Sequence, residues 1–250
     1  MSSSFSAIYI IGEGTVRAPC AKVVAKHYGQ EALIIDSTRP DIKEFTHNLK
    51  QALIISVGNV FLFDQECIEN NTVINNHNAY LPLYKGRHSH VWHIWNQEPY
   101  SGTSWHLVTS KVDGGDLLAQ QQLEIKPNMT AFELLVRQYQ VAMEILPEAL
   151  QNLDNGIATK QDLSLLEGRE DKACFHFARD LPNNGYLDLS WDEERLKRFI
   201  RATSMHKSLF IPATKVHYQG QDYTIKQTSL KNDVLTLKTY EGLVINHLLQ

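Results

Sequence analysis

The sequence predicts an α/β fold: a mainly parallel sheet with flanking helices, followed by a small antiparallel β unit. Three observations lead there. Short β-branched runs alternate with helical patterns over the first 77 or so residues, the signature of a layered α/β sheet. Each run stops at a turn-forming or polar residue, namely Gly12, Asp36, Ser56 and Asn75. Beyond residue 150 the pattern changes to short alternating segments separated by turn residues, as in antiparallel hairpins.

Residues 7–11 are apolar and β-branched and read as a buried strand ending at Gly12. A helical pattern begins at Pro19, runs through Val23, Val24 and His27, and stops at Gly29, a natural C-cap. Residues 32–35 read as a second buried strand, 41–50 as a short helix, 52–56 as a third strand, and Val73-Ile74 as the core of a very short fourth. Residues 88–97 read as a helix, and 103–109 and 117–125 as strands flanking a loop at Asp113. Thr130 and Glu133 form a capping box, opening a helix whose apolar face is Phe132, Leu135, Val136, Tyr139 and Leu146, with Pro147 near its end. Asn152, Asn155 and Gly156 suggest a connector. A second capping box, Ser190 with Glu193, opens a short helix with Leu196, Phe199 and Ile200 inward. Strand-like segments at 215–218, 223–226, 234–237 and 243–246 follow, with turns at Gly220 and at Lys231-Asn232-Asp233. The expected division is a first domain over 1–155 and a small C-terminal one over 156–250.

Composition narrows the function classes. With 43% hydrophobic and 21% charged residues, the chain is an ordinary globular sequence. No apolar run approaches the roughly 18 residues that span a bilayer, and the first residues lack the pattern of a signal peptide. A cytoplasmic protein is expected, with no membrane partner. The net charge of −4 makes nucleic acid an unlikely main partner. Cys20, Cys67 and Cys174 are widely spaced, which predicts reduced thiols rather than a disulfide framework or a cysteine zinc site.

Asn75, His77 and Asp113 stand out as catalytic candidates. Each falls at a loop position just after an apolar run. A neutral donor, an imidazole and a carboxylate are the parts needed to move an acyl group onto an amine; Asn and Asp are also common turn formers. Gly12-Glu13-Gly14, with Asp36 downstream, has the placement of a dinucleotide fingerprint, but Arg17 occupies the third glycine position, so a tight turn is the better reading. His88, His90 and His93 diverge around a helix, so no metal is expected there. Trp92, Trp95 and Trp105 serve either as core or as walls of a pocket for a flat ring or a sugar.

Four linked elements lie in one order: Asn75-Asn76-His77, then Leu81-Pro82-Leu83-Tyr84-Lys85-Gly86, then Gly102-Thr103-Ser104-Trp105-His106, then Asp113-Gly114-Gly115-Asp116. In this the chain resembles the formyltransferases that use 10-formyltetrahydrofolate, a family that includes the methionyl-tRNA, glycinamide ribonucleotide and sugar N-formyltransferases. Weaker likeness covers Ser56-Val57-Gly58 and the stretch from Gly185 to Ala202. The third element is displaced, Asn78 stands where many members have Pro, and the half before Asn75 looks like a trimmed Rossmann-like unit. The resemblance implies 10-formyltetrahydrofolate as co-substrate, with Asn75, His77 and Asp113 catalytic. Asn75, helped by His77, would donate to an oxyanion, and Asp113 would take the amine proton. It implies a folate slot formed by Val60, Phe61, Leu62, Leu81, Pro82, Ser110, Lys111, Val112 and Asp116. Tyr84, Lys85, Arg87, Trp92 and Trp105 would meet the amine substrate, and the Tyr84-Lys85-Gly86-Arg87 loop with the nearby tryptophans resembles the sugar enzymes, implying a nucleotide-linked amino sugar whose diphosphate Lys85 and Arg87 would contact. The alternatives are an amino acid or peptide amine, methionyl-tRNA, and a folate-binding module without turnover. Self-association as a homodimer is left open.

Overall fold

The computed structural model describes residues 5–169, 175–204 and 211–249. They form two compact units that interleave along the chain. The first draws on Met1–Lys85, Ser101–Leu123 and Val136–Cys174, the second on Gly86–Tyr100, Glu124–Leu135 and Phe175–Gln250.

The first unit carries a six-stranded sheet. Its strands are β1 (Ile8–Gly12), β2 (Leu33–Asp36), β3 (Leu53–Val57), β4 (Thr72–His77), β5 (Tyr100–Leu107) and β6 (Leu117–Glu124), in the order β2-β1-β3-β4-β5-β6. The first four are parallel, and β5 turns antiparallel against β4. Helices α1 (Arg17–Tyr28), α2 (Ile42–His47) and α3 (Gln65–Asn70) connect the parallel strands. Gly29 ends α1 in the left-handed conformation at φ 65°, its N–H donating to the Ala25 carbonyl. The fully buried β3 explains its unbroken apolar run. On one side Ile11, Ile54, Val73 and Cys67 form a core against which Phe61, Phe63 and Val108 pack.

Some expectations need correction. β2 is the edge strand, so Leu33 and Ile34 are exposed rather than buried. β4 runs for six residues and includes Asn75 and His77, which are therefore strand residues and not loop residues. The long helix α5 (Ala131–Asp154) opens on the expected capping box, where Thr130 N–H and hydroxyl both donate to Glu133. Its buried face, however, is Leu134, Gln138, Val141, Ala142, Ile145 and Leu146, while Val136 is exposed. Gln138 shifts the pattern because its side chain is buried as a donor to the Asn78 carbonyl and the Ser101 hydroxyl. The helix also continues through Pro147.

The second unit carries α4 (Ser89–Trp95), α6 (Glu193–Thr203) and a five-stranded sheet: β7 (Tyr186–Leu187), β8 (Lys215–Tyr218), β9 (Gln221–Lys231), β10 (Val234–Thr239) and β11 (Val244–Leu248), in the order β11-β10-β9-β8-β7. All pairings are antiparallel except β7 with β8. Asn232 and Asp233 both have positive φ, as a two-residue hairpin turn with right-handed strand twist requires. Leu187, Leu196, Phe199, Val216, Leu237 and Ile245 make its core. The cap of α6 is Asp192, which accepts from the Arg195 N–H; Ser190 is instead drawn into a turn with Asp188.

Candidate active site

Side chains alternate across a strand, so residues two apart share a face. Asn75 and His77 therefore project from the same face of β4. The register puts Ser56 of β3 and His106 of β5 opposite Asn75, and Ser104 opposite His77. One polar row, Ser56–Asn75–His106, thus crosses three strands. The Ser56 hydroxyl donates to Asn75 Oδ1 at 2.7 Å, and Asn75 Nδ2 lies 3.2 Å from His106 Nε2.

Asp113 reaches this row from the loop after β5. Its Oδ2 lies 3.4 Å from His77 Nδ1 and its Oδ1 lies 3.5 Å from His106 Nε2. All three groups are less than a tenth exposed. The loop can fold back because Gly115 sits where a Cβ would stand 1.7 Å from the Leu107 carbonyl oxygen. Asp113 itself has φ 48°, a conformation that Asp tolerates better than most residues. Gln161 fastens the loop by donating to the carbonyls of Asp113 and Gly115, both at 2.8 Å. Lys160 pairs with Asp116 at 2.8 Å.

The histidine tautomers follow from their partners. His77 Nε2 lies 2.8 Å from the Tyr84 carbonyl oxygen, and His106 Nδ1 lies 2.8 Å from that of Leu107. A carbonyl only accepts, so each of these nitrogens carries the hydrogen. In the neutral rings, His77 Nδ1 and His106 Nε2 then present lone pairs to the neighbourhood of Asp113.

Tyr84 is buried and serves the site through its carbonyl, so its ring is not a substrate contact. Trp105 is fully buried and donates from its indole to the Ala142 carbonyl. Its expected place in a pocket is overturned by parity: with His106 on the site face, Trp105 points to the other, into the core beneath α5. Leu81 is buried, held through its carbonyl by Gln120 and through its N–H by Ser104; Pro82 follows it in a cis peptide. Val60, Leu62 and Val112 are exposed, Leu62 to 69%, whereas Phe61 packs into the core beside Phe63. Ser110 and Lys111 are exposed. Burial pushes the Lys85 ammonium below its ordinary range, while Asp113 acts in the opposite sense and Lys111 adds to the lowering. Arg87 and Trp92 belong to the second unit, where the Arg87 N–H donates to the His176 carbonyl and Trp92 stacks on the His176 ring at 3.9 Å.

Two site residues, Ser56 and His106, were not among the candidates. The alternation of side chains along β4 and β5 is the signal that would have joined them to Asn75. Burial pushes the thiols of Cys20 and Cys67 up to about 12, so neither is an activated nucleophile; Cys174 lies outside the described residues. Among the described residues no group of three His, Cys, Asp or Glu side chains is placed to hold a metal, and no helix is long and apolar enough to cross a membrane.

Comparison with known proteins adds independent findings. The profile of the formyl transferase family matches residues 13–150. Over 129 residues the chain is 35% identical to the GDP-perosamine N-formyltransferase of Brucella melitensis, a stretch covering 52% of this chain and 47% of that one. It is 27% identical over 191 residues to the methionyl-tRNA formyltransferase of Ruminiclostridium cellulolyticum, covering 75% of this chain and 59% of that one. The chain thus spans about half the length of the curated relatives it matches. The N-formyltransferase from Helicobacter canadensis, crystallised with folinic acid and dTDP-3-aminofucose, has a TM-score of 0.66 at 16% identity, covering 96% of this chain and 98% of that one. A likeness at that identity speaks for the fold.

Proposed function

Because this chain belongs to the formyl transferase family, we propose that it moves the formyl group of 10-formyltetrahydrofolate onto a primary amine, that of a nucleotide-linked amino sugar. The observation that carries the reading is that the Asp113 carboxyl stands between His77 and His106, with the Asn75 amide beside His106 on the same sheet face. The co-substrate supplies an activated formyl carbon. Attack by the amine makes a tetrahedral centre with a negative oxygen. Asn75 has one amide N–H turned to His106 and a second for that oxygen; losing such a donor typically costs about 10²–10³ in rate.

Asp113 takes the proton that the amine sheds on attack. The departing folate nitrogen gains a proton as the carbon–nitrogen bond breaks, so the protons balance. His77 donates its Nε2 hydrogen to Tyr84, so it acts at the oxygen through its bearing on Asp113 rather than as a direct donor. The exposed apolar side chains of Val60, Leu62 and Val112 suit a flat pteridine.

The amino-sugar substrate is supported by three points. The relative at 35% identity is named for a GDP-linked amino sugar. The Helicobacter neighbour was crystallised with a dTDP-linked one. The half-buried Lys85, close enough to Asp113 and Lys111 to feel both charges, suits a phosphate near the reacting centre. Methionyl-tRNA is the second reading, favoured by the longer alignment to that enzyme.

The test mixes the protein with 10-formyltetrahydrofolate and each amine, and follows tetrahydrofolate release by absorbance. Release with GDP- or dTDP-linked amino sugars is expected. Release with methionyl-tRNA alone overturns the substrate class, and no release with any amine overturns the reaction. Asp113→Asn is expected to lower kcat by about 10²–10⁴, the usual worth of a positioned proton acceptor.

A further inference from the structure

An asparagine can serve an oxyanion only if its amide points the right way round. The two ends of the group have nearly the same shape and opposite hydrogen-bonding character. What fixes the orientation of Asn75 is therefore a chemical question about its neighbours.

Ser56 cannot fix it. Its hydroxyl donates to Asn75 Oδ1 at 2.7 Å, but a hydroxyl accepts as readily as it donates. If the amide turned over, Ser56 would accept from Nδ2 at the same place.

His106 can fix it. Its Nδ1 is committed as a donor to the Leu107 carbonyl, 2.8 Å away within the same stretch of backbone. Its Nε2 therefore carries a lone pair in the neutral ring, 3.2 Å from Asn75 Nδ2. Only the N–H end of the amide can face that lone pair, since the oxygen would set lone pair against lone pair. The ring is also fully walled in, with a side chain about 3% exposed, so it cannot swing aside to accommodate a turned amide.

We propose that His106 is a positioning residue, which locks the Asn75 amide with its nitrogen toward the reacting centre by presenting an unprotonated Nε2. This rests on the formyl-transfer reading and deepens it. The same lock directs the proton. Asp113 lies between His106 Nε2 at 3.5 Å and His77 Nδ1 at 3.4 Å. A hydrogen on His106 Nε2 would face the N–H of Asn75, donor against donor. The proton that Asp113 collects is therefore shared with His77 alone.

The test has two independent arms. In the first, long-range ¹⁵N–¹H spectra of the histidine rings are recorded on the folded protein without substrate. The expected result is hydrogen on His106 Nδ1 and a bare Nε2. Hydrogen on Nε2 overturns the proposal, whatever the protein catalyses. In the second, kcat and KM are measured for His106→Phe and His106→Gln, alone and with Asn75→Ala.

His106→Phe removes the acceptor, and kcat is expected to fall about 10- to 100-fold, below the full loss of an oxyanion donor. KM for both substrates should stay within about twofold of the parent protein. His106→Gln, whose oxygen reaches about as far as Nε2, should recover part of the loss. In the Asn75→Ala background His106→Phe should cost less than about twofold more, because the group it acts through is gone. A full additional loss there, or a change in KM with kcat intact, overturns the proposal and makes His106 a structural residue. Absence of turnover in the parent protein counts against the reaction and leaves the tautomer arm to decide on the lock.

Discussion

Buried histidines occur in both units, and their surroundings differ. In the first unit His77 and His106 each give one hydrogen to a main-chain carbonyl and turn the other nitrogen toward the Asp113 carboxyl. In the second unit His88 and His93 also donate to carbonyls, those of Ala178 and Ser89, and His176 lies flat against Trp92. The shared device, one nitrogen tied to the backbone, fixes the ring and its tautomer. What the second nitrogen meets decides what the ring can do. Facing the carboxyl, His77 can share a proton, and facing an amide N–H, His106 can hold that amide; for His88 and His176 burial outweighs the pull of Asp180 and favours the neutral ring. Of the H-x-H-x-x-H cluster, His88 and His93 are thus tied to the backbone of the second unit, while His77 and His106 stand at the site.

Removing one ring from each group should have unequal effects. His77→Ala should lower kcat by about 10²–10³, within the range of lost proton-transfer groups, with a modest loss of stability. His93→Ala should leave kcat within about twofold wherever the protein remains folded. It should cost about 1–3 kcal/mol of stability, because the Ser89 carbonyl loses a buried donor. Both are read from kinetics paired with thermal unfolding. An equal loss of kcat in the two variants, with the fold intact, would erase the distinction.

A second way uses pH. Burial pushes His176 down to about 4 and lowers His88 in the same sense. Unfolding returns His176 to about 6.5. Between those values the unfolded chain binds the proton and the folded one does not, so stability present above about pH 6.5 is lost as pH falls toward 4. The expected contribution of His176 is about 1–3 kcal/mol. His176→Gln should flatten the slope of denaturant-measured stability over that window. A slope unchanged in the variant would mean that the ring does not resist protonation.

Much of this arrangement was legible in the sequence, and the failures have physical causes. The parallel strands emerged because a strand covered on both faces reads as an unbroken apolar run, as β3 does. Asn75 and His77 looked like loop residues because polar side chains late in a strand imitate turn chemistry, yet β4 carries them into the sheet. Trp105 reads in the sequence either as core or as a pocket wall, because three tryptophans crowd that stretch. In a strand the immediate neighbour of a site residue faces away, and Trp105 is core for that reason. The face of α5 was misjudged because a buried glutamine, Gln138, serves main-chain and side-chain acceptors and so hides an inward position behind a polar letter. Ser190 lost its place as helix cap to Asp192, two residues on, for a similar reason: a short polar side chain has several local backbone partners, and sequence alone does not rank them.

The smallest expected effect probes the far end of the polar row. Ser56 donates to Asn75 Oδ1, opposite the end that His106 meets. Ser56→Ala removes that hydrogen bond but leaves the lone pair of His106 in place, so the amide keeps its orientation. The loss should be the net worth of one neutral hydrogen bond, about 1 kcal/mol, or about fivefold in kcat, with little change in KM. Ser56→Thr, which keeps the hydroxyl, should lose less. The ratio between Ser56→Ala and His106→Phe is the informative quantity. If the serine variant costs as much as the histidine variant, the amide is held from the β3 side, and the ring on β5 is merely adjacent. If it costs several times less, the neighbour that can only accept is the one that matters, as its fixed tautomer requires.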